Sequence, residues 1–462
     1  MPEERNWKMN FEQLPKKIHF MGIGGISMSS LAAITKTKGH EVTGSDCTAT
    51  SLTEKLTHTY GIPVYVPQRA ENIGDAQMVV YTAAISEENP EFLCAKQKGL
   101  PLVPRSVYLG ELMRQYDVRI GVSGTHGKSS TTGMLSHVFM QARLDPTVVC
   151  GALIPSFEGA YRLGEGEHFI YEACEYKDSF LDFYPSIALW LNMELDHVDY
   201  FKSMEQMEQS YIRSAKDAGA VVVNWDDAQI RHAAQGLKGV WTVKVGVERS
   251  DVDYSAQNVK VTGGLASFDL YNESNFLCRV SLNVPGMHHI SNALCAAACA
   301  HICGVSAEDI GAGLESFGGI GRRFEYKGNK NGVRVYDDYA HHPTEIRVTL
   351  QAAREMLDEG GRLFCVFQPH TYSRTAGFFE EFVSALSLAD ELILAPIYAA
   401  REQNTYGVCS EDLAQKIDGA RVIDDFDAIG ALLAREVREK DLVLTMGAGN
   451  AFKSGEAFLK LP

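Results

Sequence analysis

Residues 118–132 read VRIGVSGTHGKSSTT, and this stretch decides which kind of fold the chain can adopt. A β-branched run leads into a glycine-rich turn, and the turn leads into the helix-like segment TTGMLSHVFMQA. Backbone amides in such a turn and at the start of the next helix can bind phosphate oxygens. Lys128 adds a mobile positive charge, and Ser129 can offer its hydroxyl to the magnesium ion that accompanies ATP. The end of the segment matches the GK[ST] of the pattern GxxxxGK[ST], although the first glycine of that pattern is replaced by another residue.

The pattern of a predicted strand followed by a turn recurs along the chain. It is repeated in IHFMGIGG, FIYEACE, AVVVNWDD, RLFCVFQPH and LVLTMGAGN. This alternation predicts parallel α/β sheets, which place ligands at the carboxyl ends of their strands. A chain of 462 residues is too long for one hydrophobic core, so about three domains are expected. We predict domains at 1–116, 117–317 and 318–462, with the glycine-rich FGGIGRRF as a hinge before the last.

Composition excludes several classes of protein. The formal net charge of −16 argues against nucleic acid as a main partner, because phosphate binding needs a basic excess. No segment is apolar for long enough to span a bilayer, and no export signal precedes the first strand. The ten cysteines include no CxxC pair and no zinc spacing, so reduced thiols in the cytoplasm are expected. Cys295, Cys299 and Cys303 are interpreted as one buried helix face.

Acidic residues and a histidine follow two further predicted strands. YEACEYKDSF supplies Glu172 and Glu175, and LNMELDHVDYF supplies Asp196, His197 and Asp199. If both strands flank the phosphate-binding loop, carboxylate and imidazole would converge on the γ-phosphate. They could then hold a second metal ion, which would screen an anionic nucleophile from the phosphate that it attacks.

The N-terminal segment carries a second glycine-rich turn. Gly22, Gly24 and Gly25 follow the run IHFM and lead into the helix-like MSSLAAITKTKG. Asp46 comes about twenty residues later, as in a dinucleotide-binding fingerprint, although Ser27 occupies the third glycine position. The motif predicts a nucleotide pyrophosphate at this helix N-terminus without specifying the nucleotide.

Two polar clusters characterise the last segment. They lie in VYDDYAHHPTEI and VFQPHTYSRT, each after an apolar strand, and comprise Asp337, Asp338, Tyr339, His341, His342, His370, Tyr372 and Arg374. Titratable clusters at the ends of parallel strands are typical of binding or catalytic sites.

In this order, the motifs resemble the Mur ligase family over essentially the whole chain. The resemblance implies a three-domain α/β enzyme of bacterial peptidoglycan synthesis. Its N-terminal Rossmann-like domain would bind a UDP-sugar, its central P-loop domain ATP, and its C-terminal Rossmann-like domain an amino acid. DDYAHHPTEI together with FQPH favours the family member that uses UDP-N-acetylmuramate and L-alanine. The implied reaction is ATP-dependent amide formation through an acyl phosphate, with ADP and phosphate as products.

The resemblance also implies roles for individual residues. The UDP-sugar would contact Gly22, Gly24, Gly25, Ile26, Asp46, Ser86 and Arg105. ATP would contact Gly124, Thr125, His126, Gly127, Lys128, Ser129, Ser130, His288, Asn292, Arg323 and Asp338. Two Mg²⁺ ions are expected, with Ser129, Glu172 and His197 as ligands. The lactyl group and alanine would face Tyr339, His341, His370 and Arg374. The catalytic set would be Lys128, Glu172, His197, His341 and Arg374.

Four positions depart from the family pattern, and two alternatives stay open. His289 replaces an asparagine, Asn450 an acidic residue, Cys174 an aspartate and Thr371 an arginine. One alternative is a ligase on the same scaffold that recycles the murein tripeptide. The other is a nicotinamide-dependent oxidoreductase, suggested by the N-terminal glycines. The sequence is compatible with either a monomer or a homodimer.

Overall fold

The computed structural model describes residues 13–197, 200–400 and 402–461, which form two compact units. The first unit contains the described residues up to Ser255, together with Asn272–Asn275 and Ala293–Gly313. The second contains Ala256–Tyr271, Phe276–Asn292 and the described residues from Leu314 onward. The boundaries predicted at 116/117 and 317/318 stay a prediction.

The N-terminal sheet has five parallel strands in the order β3-β2-β1-β4-β5. Its strands are β1 (Lys17–Met21), β2 (Glu41–Ser45), β3 (Val64–Tyr65), β4 (Met78–Tyr81) and β5 (Leu102–Pro104). Its helices are α1 (Ile26–Thr37), α2 (Ser51–Tyr60), α3 (Pro90–Gln97) and α4 (Arg105–Met113). The strand order reverses beside β1, so the glycine-rich turn after β1 lies at the point where such sheets bind ligands.

The central strands surround β6. They are β6 (Val118–Ser123), β7 (Thr147–Ile154), β8 (Gly159–Arg162), β9 (His168–Glu172), β10 (Ile187–Trp190), β11 (Ala220–Asn224) and β12 (Trp241–Val247). Their order is β12-β11-β10-β6-β9-β7-β8, and only the β7–β8 pair is antiparallel. The accompanying helices are α5 (Lys128–Gln141), α6 (Met204–Ser214), α7 (Ala228–Ala234), α8 (His288–Ile302) and α9 (Ala307–Ser316). Strands β13 (Tyr254–Thr262), β14 (Leu265–Asn272) and β15 (Asn275–Pro285) are neighbours in the order β15-β14-β13.

The C-terminal sheet has six strands in the order β16-β17-β21-β18-β19-β20, of which only β16 is antiparallel to its neighbour. They are β16 (Glu325–Lys330), β17 (Val333–Asp338), β18 (Leu363–Phe367), β19 (Glu391–Leu394), β20 (Arg421–Val422) and β21 (Leu442–Met446). The helices are α10 (Pro343–Glu355), α11 (Tyr372–Gly377), α12 (Phe379–Leu386), α13 (Ser410–Ala414), α14 (Phe426–Glu436) and α15 (Phe452–Lys460). The carboxyl ends of β17, β21 and β18 are therefore adjacent.

Buried apolar side chains explain why these sheets form. In β18 alternate residues point to opposite faces, so Cys365 and Phe367 join one core cluster while Phe364 and Val366 join another. In the first unit, Phe20 of β1 and Trp190 of β10 belong to one continuous core. Cys295 and Cys299 are fully buried on α8, which confirms the predicted helix face for these two, whereas Cys303 is partly buried and lies just after the helix ends. Among the described residues, no helix is both long and apolar enough to cross a membrane.

Candidate functional site

The loop predicted to bind phosphate joins β6 to α5. Gly127 occupies the helix N-cap position with φ of 82°, a left-handed conformation that glycine adopts without steric cost. No side chain caps the helix at this position, so the first-turn amides are oriented for an anion. Ser129 and Ser130 are buried in that first turn. The predicted strand, turn and helix are confirmed.

Both strands that carry the acidic motifs flank this loop. β6 pairs with β10 on one side and with β9 on the other. The segments after the three strands therefore meet at one edge of the sheet, as the sequence predicted on the condition that they were neighbours. This arrangement gathers the loop, the EACE segment and the NMELDH segment in the first unit.

Asn192, which the sequence analysis did not single out, holds the loop in place. Its Oδ1 accepts a hydrogen bond from the His126 amide at 2.8 Å, and its Nδ2 donates to the His126 carbonyl at 3.0 Å. Its own carbonyl accepts from the Thr125 amide at 3.2 Å. The Thr125 hydroxyl donates to the Glu194 carbonyl at 3.0 Å. The only sequence signal for this role is the position of Asn192 just after the apolar strand β10.

Lys128 lies inside the loop beside buried acid. Its ammonium donates to the carbonyls of Gly124 and Thr125, the latter at 3.2 Å, and to Glu175 Oε2 at 3.2 Å. Burial acts to lower the pKa of Lys128, but the negative charges of Glu175 and Glu172, together with the hydrogen bond to Glu175, outweigh it and raise that pKa. Lys128 is therefore a protonated group beside two carboxylates.

Glu172 is tied to the neighbouring strand β7. Its Oε1 accepts a hydrogen bond from the Gly151 amide at 2.7 Å and one from the Cys150 thiol at 3.0 Å. These two donors fix the carboxylate at the end of β9, where its charge acts on Lys128. A side chain at Gly151 would collide with it, since a Cβ there would lie 2.7 Å from Glu172 Oε2.

His197 lies nearest to the second glutamate of the motif. Its Nε2 is 3.6 Å from Glu175 Oε1, and its ring centroid is 4.6 Å from that of Tyr176. The residue has φ of 52°, an uncommon value for a non-glycine residue. Asp196 Oδ1 accepts the His197 amide at 2.7 Å. Asp199 lies outside the described residues.

This set of donors fits the predicted magnesium site. Mg²⁺ prefers oxygen ligands, and the Ser129 hydroxyl and two glutamates stand at the end of β9 and the start of α5. His197 adds an imidazole beside Glu175. Ser129, Glu172 and His197 are therefore compatible with metal binding, and their roles as ligands stay a prediction.

The N-terminal glycine turn is organised by Asp46. The Gly24 amide donates to Asp46 Oδ2 at 2.8 Å, so this carboxylate fixes the turn itself. Gly22 has φ of 78°, and a Cβ there would lie 2.7 Å from a Thr82 methyl group. Gly25 caps α1, which begins at Ile26, without a side-chain hydrogen bond. The amides of the turn are all engaged within the protein, so the amides that can bind a pyrophosphate are those of the first turn of α1.

Two more predicted UDP-sugar contacts are Arg105, which lies beside the glycine turn, and Ser86, which lies in the turn before α3. Arg105 NH1 donates to the Ser27 hydroxyl at 2.9 Å, which places a guanidinium beside the glycine turn. Burial lowers the pKa of Arg105, while Cys174 and Asp182 act to raise it. Ser86 is exposed in the turn before α3, and its hydroxyl accepts the Glu88 amide at 3.2 Å.

In the second unit, His341 is surrounded by predicted site residues. Its ring centroid is 5.5 Å from that of Tyr339 and 5.7 Å from that of His370. Glu345 Oε2 lies 3.5 Å from its Nδ1. Burial lowers the pKa of His341 to about 4, with Glu345 opposing and Arg374 reinforcing the shift. The imidazole is therefore neutral near neutral pH.

Arginines extend this cluster on two sides. Arg374 NH1 lies 3.3 Å from His370 Nδ1, and the His370 ring stacks on Tyr398 at 5.7 Å. Arg323 lies over the Tyr339 ring at 5.2 Å, with its NH1 3.6 Å from Glu345 Oε1. The cluster thus combines two guanidiniums with a neutral imidazole, a set that can bind a carboxylate.

Glu345 and Tyr398 were missed by the sequence analysis. The first could have been found, because Glu345 is the third helical residue after the N-cap His342 and forms a capping box there. Tyr398 could not, because its contact with His370 depends on an isolated β-bridge between segments that are far apart in the sequence.

The remaining predicted ATP contacts have structural partners. Asp338 accepts the amides of Phe324 at 2.7 Å and Ala340 at 2.6 Å, and burial raises its pKa to about 6. His288 is exposed at the start of α8, and its ring centroid lies 4.0 Å from that of the buried His289. His289 Nδ1 in turn lies 3.5 Å from Asn292 Nδ2.

Comparison with known proteins covers the whole chain. The Mur ligase family, catalytic domain, matches residues 17–117, the Mur ligase middle domain 122–300, and the Mur ligase, glutamate ligase domain, 322–449. The UDP-N-acetylmuramate–L-alanine ligase of Agathobacter rectalis is 44% identical, over 98% of this chain and 100% of that protein. The corresponding ligase of Clostridium acetobutylicum is 42% identical, over 96% of this chain and 98% of that protein.

Solved structures support the same relationship. The UDP-N-acetylmuramate–alanine ligase of Thermotoga maritima has a TM-score of 0.83 and 29% identity, covering 96% of this chain and 98% of that one. A murein peptide ligase from Psychrobacter arcticus has a TM-score of 0.75 at 22% identity, covering 97% of this chain and 100% of that one, and shares the fold alone. The predicted three-domain α/β architecture is confirmed, and the chain belongs to the Mur ligase family.

Proposed function

We propose that the chain joins the lactyl carboxylate of UDP-N-acetylmuramate to the amino group of L-alanine, with ATP converted to ADP and phosphate. The relatives with this name are 40–44% identical over nearly the full chain. The structural observation that carries the proposal is the phosphate-binding loop, with Lys128 beside the acidic groups that follow β9. A nicotinamide-dependent oxidoreductase transfers a hydride and does not require a phosphate-binding loop with a lysine beside acidic groups.

The reaction needs activation because a carboxylate is a poor electrophile. A lactyl oxygen would attack the γ-phosphorus of ATP, and the bond between that phosphorus and ADP would break. The alanine amine would then attack the acyl carbon of the acyl phosphate, lose a proton, and expel phosphate. Catalysis of phosphoryl transfer is mainly positioning and charge neutralisation, which the α5 amides and Lys128 can supply.

Magnesium would assist the first step, phosphoryl transfer to the carboxylate, and residues of the first unit would hold it. When bound, Mg²⁺ would screen the like charges of the carboxylate and ATP. Ser129, Glu172 and His197 would hold it, and two ions are part of the proposal. Glu172 is prepared for this role by the Gly151 amide and the Cys150 thiol, which fix its orientation.

The other substrates are assigned to separate clusters. In the N-terminal sheet the turn Gly22–Gly25 would lie against the UDP diphosphate and the first-turn amides of α1 would bind it, with Arg105 as an additional cation. In the C-terminal sheet Arg374 would bind the alanine carboxylate, and the neutral imidazole of His341 can accept a hydrogen bond from the amine. The segments 1–116, 117–317 and 318–462 are the proposed domains, and the cytoplasm is the proposed location.

A phosphate-release assay tests this function. ATP, Mg²⁺ and UDP-N-acetylmuramate should release phosphate fastest with L-alanine. Glycine and L-serine should also react, although more slowly. A pocket discriminates one methyl or hydroxyl group by only ~1–3 kcal/mol, so neither amino acid is fully excluded. Preference for L-alanyl-D-glutamyl-meso-diaminopimelate would instead favour the recycling ligase. Saturable NADH binding without phosphate release would favour the oxidoreductase.

A further inference from the structure

Glu175 competes with ATP phosphate for the ammonium group of Lys128, which the proposed reaction requires. A lysine ammonium has three N–H donors. In Lys128 these meet the Gly124 carbonyl, the Thr125 carbonyl and the Glu175 carboxylate. A phosphate oxygen that binds Lys128 must therefore replace one of these three acceptors.

The two carbonyls are the harder acceptors to replace. They belong to the backbone of the loop, which Asn192 holds through two hydrogen bonds to the adjacent residue His126. Glu175 contacts Lys128 through a side chain, which can change rotamer without moving the loop. It is also the one anion of the three, so its replacement by phosphate exchanges one negative charge for another.

A second partner for Glu175 lies close by. Its Oε1 is 3.6 Å from His197 Nε2, while its Oε2 faces Lys128 at 3.2 Å. The backbone beyond it is held firmly, because the Asp178 carboxylate accepts hydrogen bonds from the Tyr200 hydroxyl at 2.8 Å and from Ser210. A carboxylate released from Lys128 thus stays within reach of His197.

We propose that Glu175 is a positioning residue that exchanges with ATP phosphate for Lys128 and, once displaced, pairs with His197. Arrival of the nucleotide at Lys128 is thereby coupled to the orientation of the imidazole. This inference rests on the proposed function. It assigns Glu175 a role distinct from that of Glu172, whose carboxylate is bound to β7.

Calorimetric titration with ATP, without sugar nucleotide or amino acid, tests the exchange. Glu175→Gln keeps the shape of the side chain but removes its charge. It should bind ATP about three- to tenfold more tightly, because a charge-assisted hydrogen bond to Lys128 is roughly twice as strong as a neutral one. Glu175→Asp keeps the charge and should bind ATP as the wild type does. Asp75→Asn, which removes a carboxylate from the exposed Lys17, is the matched control and should leave the Kd unchanged.

A double variant shows whether the effect passes through Lys128. In a Lys128→Met background, Glu175→Gln should no longer change the ATP Kd. Unchanged or weaker ATP binding by Glu175→Gln, or equal tightening in the Lys128→Met background, would overturn the exchange. Weaker binding only in the presence of Mg²⁺ would make Glu175 a metal ligand instead.

The coupling to His197 has its own readout. At saturating substrates, Glu175→Gln should lower kcat while the KM for ATP falls, whereas a damaged fold would raise KM. Tighter ATP binding with unchanged kcat would overturn the coupling. A wild-type chain that does not bind ATP would contradict the proposed function itself, and the exchange with it.

Discussion

Replacing Asn192 with alanine should weaken ATP binding about tenfold, although Asn192 is not proposed to touch the nucleotide. The side chain accepts the His126 amide at 2.8 Å and donates to the His126 carbonyl at 3.0 Å. Without these bonds the loop keeps its sequence but loses the support that orders its backbone. ATP binding must then order the loop, so part of the binding free energy is lost.

The magnitude follows from the number of bonds. A hydrogen bond of this kind contributes about 1 kcal/mol net, so two contribute about 2 kcal/mol. Asn192 is only partly buried, and water can replace some of that interaction. About 1.4 kcal/mol remains, which corresponds to a tenfold change in Kd.

Asn224→Ala is the matched control for this prediction. Asn224 ends the neighbouring strand β11, and its side chain also makes two bonds to backbone, donating to the Leu191 carbonyl at 2.9 Å and accepting the Asp226 amide at 3.2 Å. Its removal should cost similar stability but change the ATP Kd less than about twofold. Both Kd values are measured by calorimetry with ATP alone. Equal weakening by both variants, or none by Asn192→Ala, would show that Asn192 does not order the loop for ATP.

Three further changes have defined outcomes. Lys128→Ala should slow phosphate release by ~10²–10³ with the fold retained, and near wild-type turnover would remove Lys128 from catalysis. His197→Ala should require a higher Mg²⁺ concentration for half-maximal rate while still binding ATP, and superimposable magnesium titrations would make His197 structural. The pKa of His341 is lowered from 6.5 to about 4 by burial, so the unfolded chain takes up a proton first and stability falls as pH drops through this range. His341→Gln should flatten that loss, and an unchanged pH dependence of denaturant unfolding would contradict it.

Local sequence patterns were sufficient to predict the phosphate-binding loop and the strand and helix on either side of it. A β-branched run, a glycine turn and a helix-like segment predict β6, the loop and α5 from neighbouring residues alone. The convergence of Glu175 and His197 was predicted as well, because parallel strands bring their carboxyl ends to one edge.

The partners of individual side chains depended on contacts far apart in the sequence. Asn192 reaches His126 across 66 residues, and no local pattern encodes that contact. Glu172 ends β9 and Glu175 follows it, and only the three-dimensional structure shows that the first is bound to β7 and the second to Lys128. Asp46 was expected to contact the UDP-sugar, and its bond to the Gly24 amide depends on how β1 and β2 pair.

Transfer of ¹⁸O from substrate to phosphate shows whether the reaction passes through an acyl phosphate. On that route the carboxylate attacks the γ-phosphorus at the Lys128 loop, and phosphate later leaves from the acyl carbon. UDP-N-acetylmuramate labelled with ¹⁸O in both lactyl carboxylate oxygens should therefore yield inorganic phosphate that carries one ¹⁸O atom per amide formed with L-alanine. Amide formation with unlabelled phosphate would contradict the account, because the carboxylate oxygen would then never have been bonded to phosphorus.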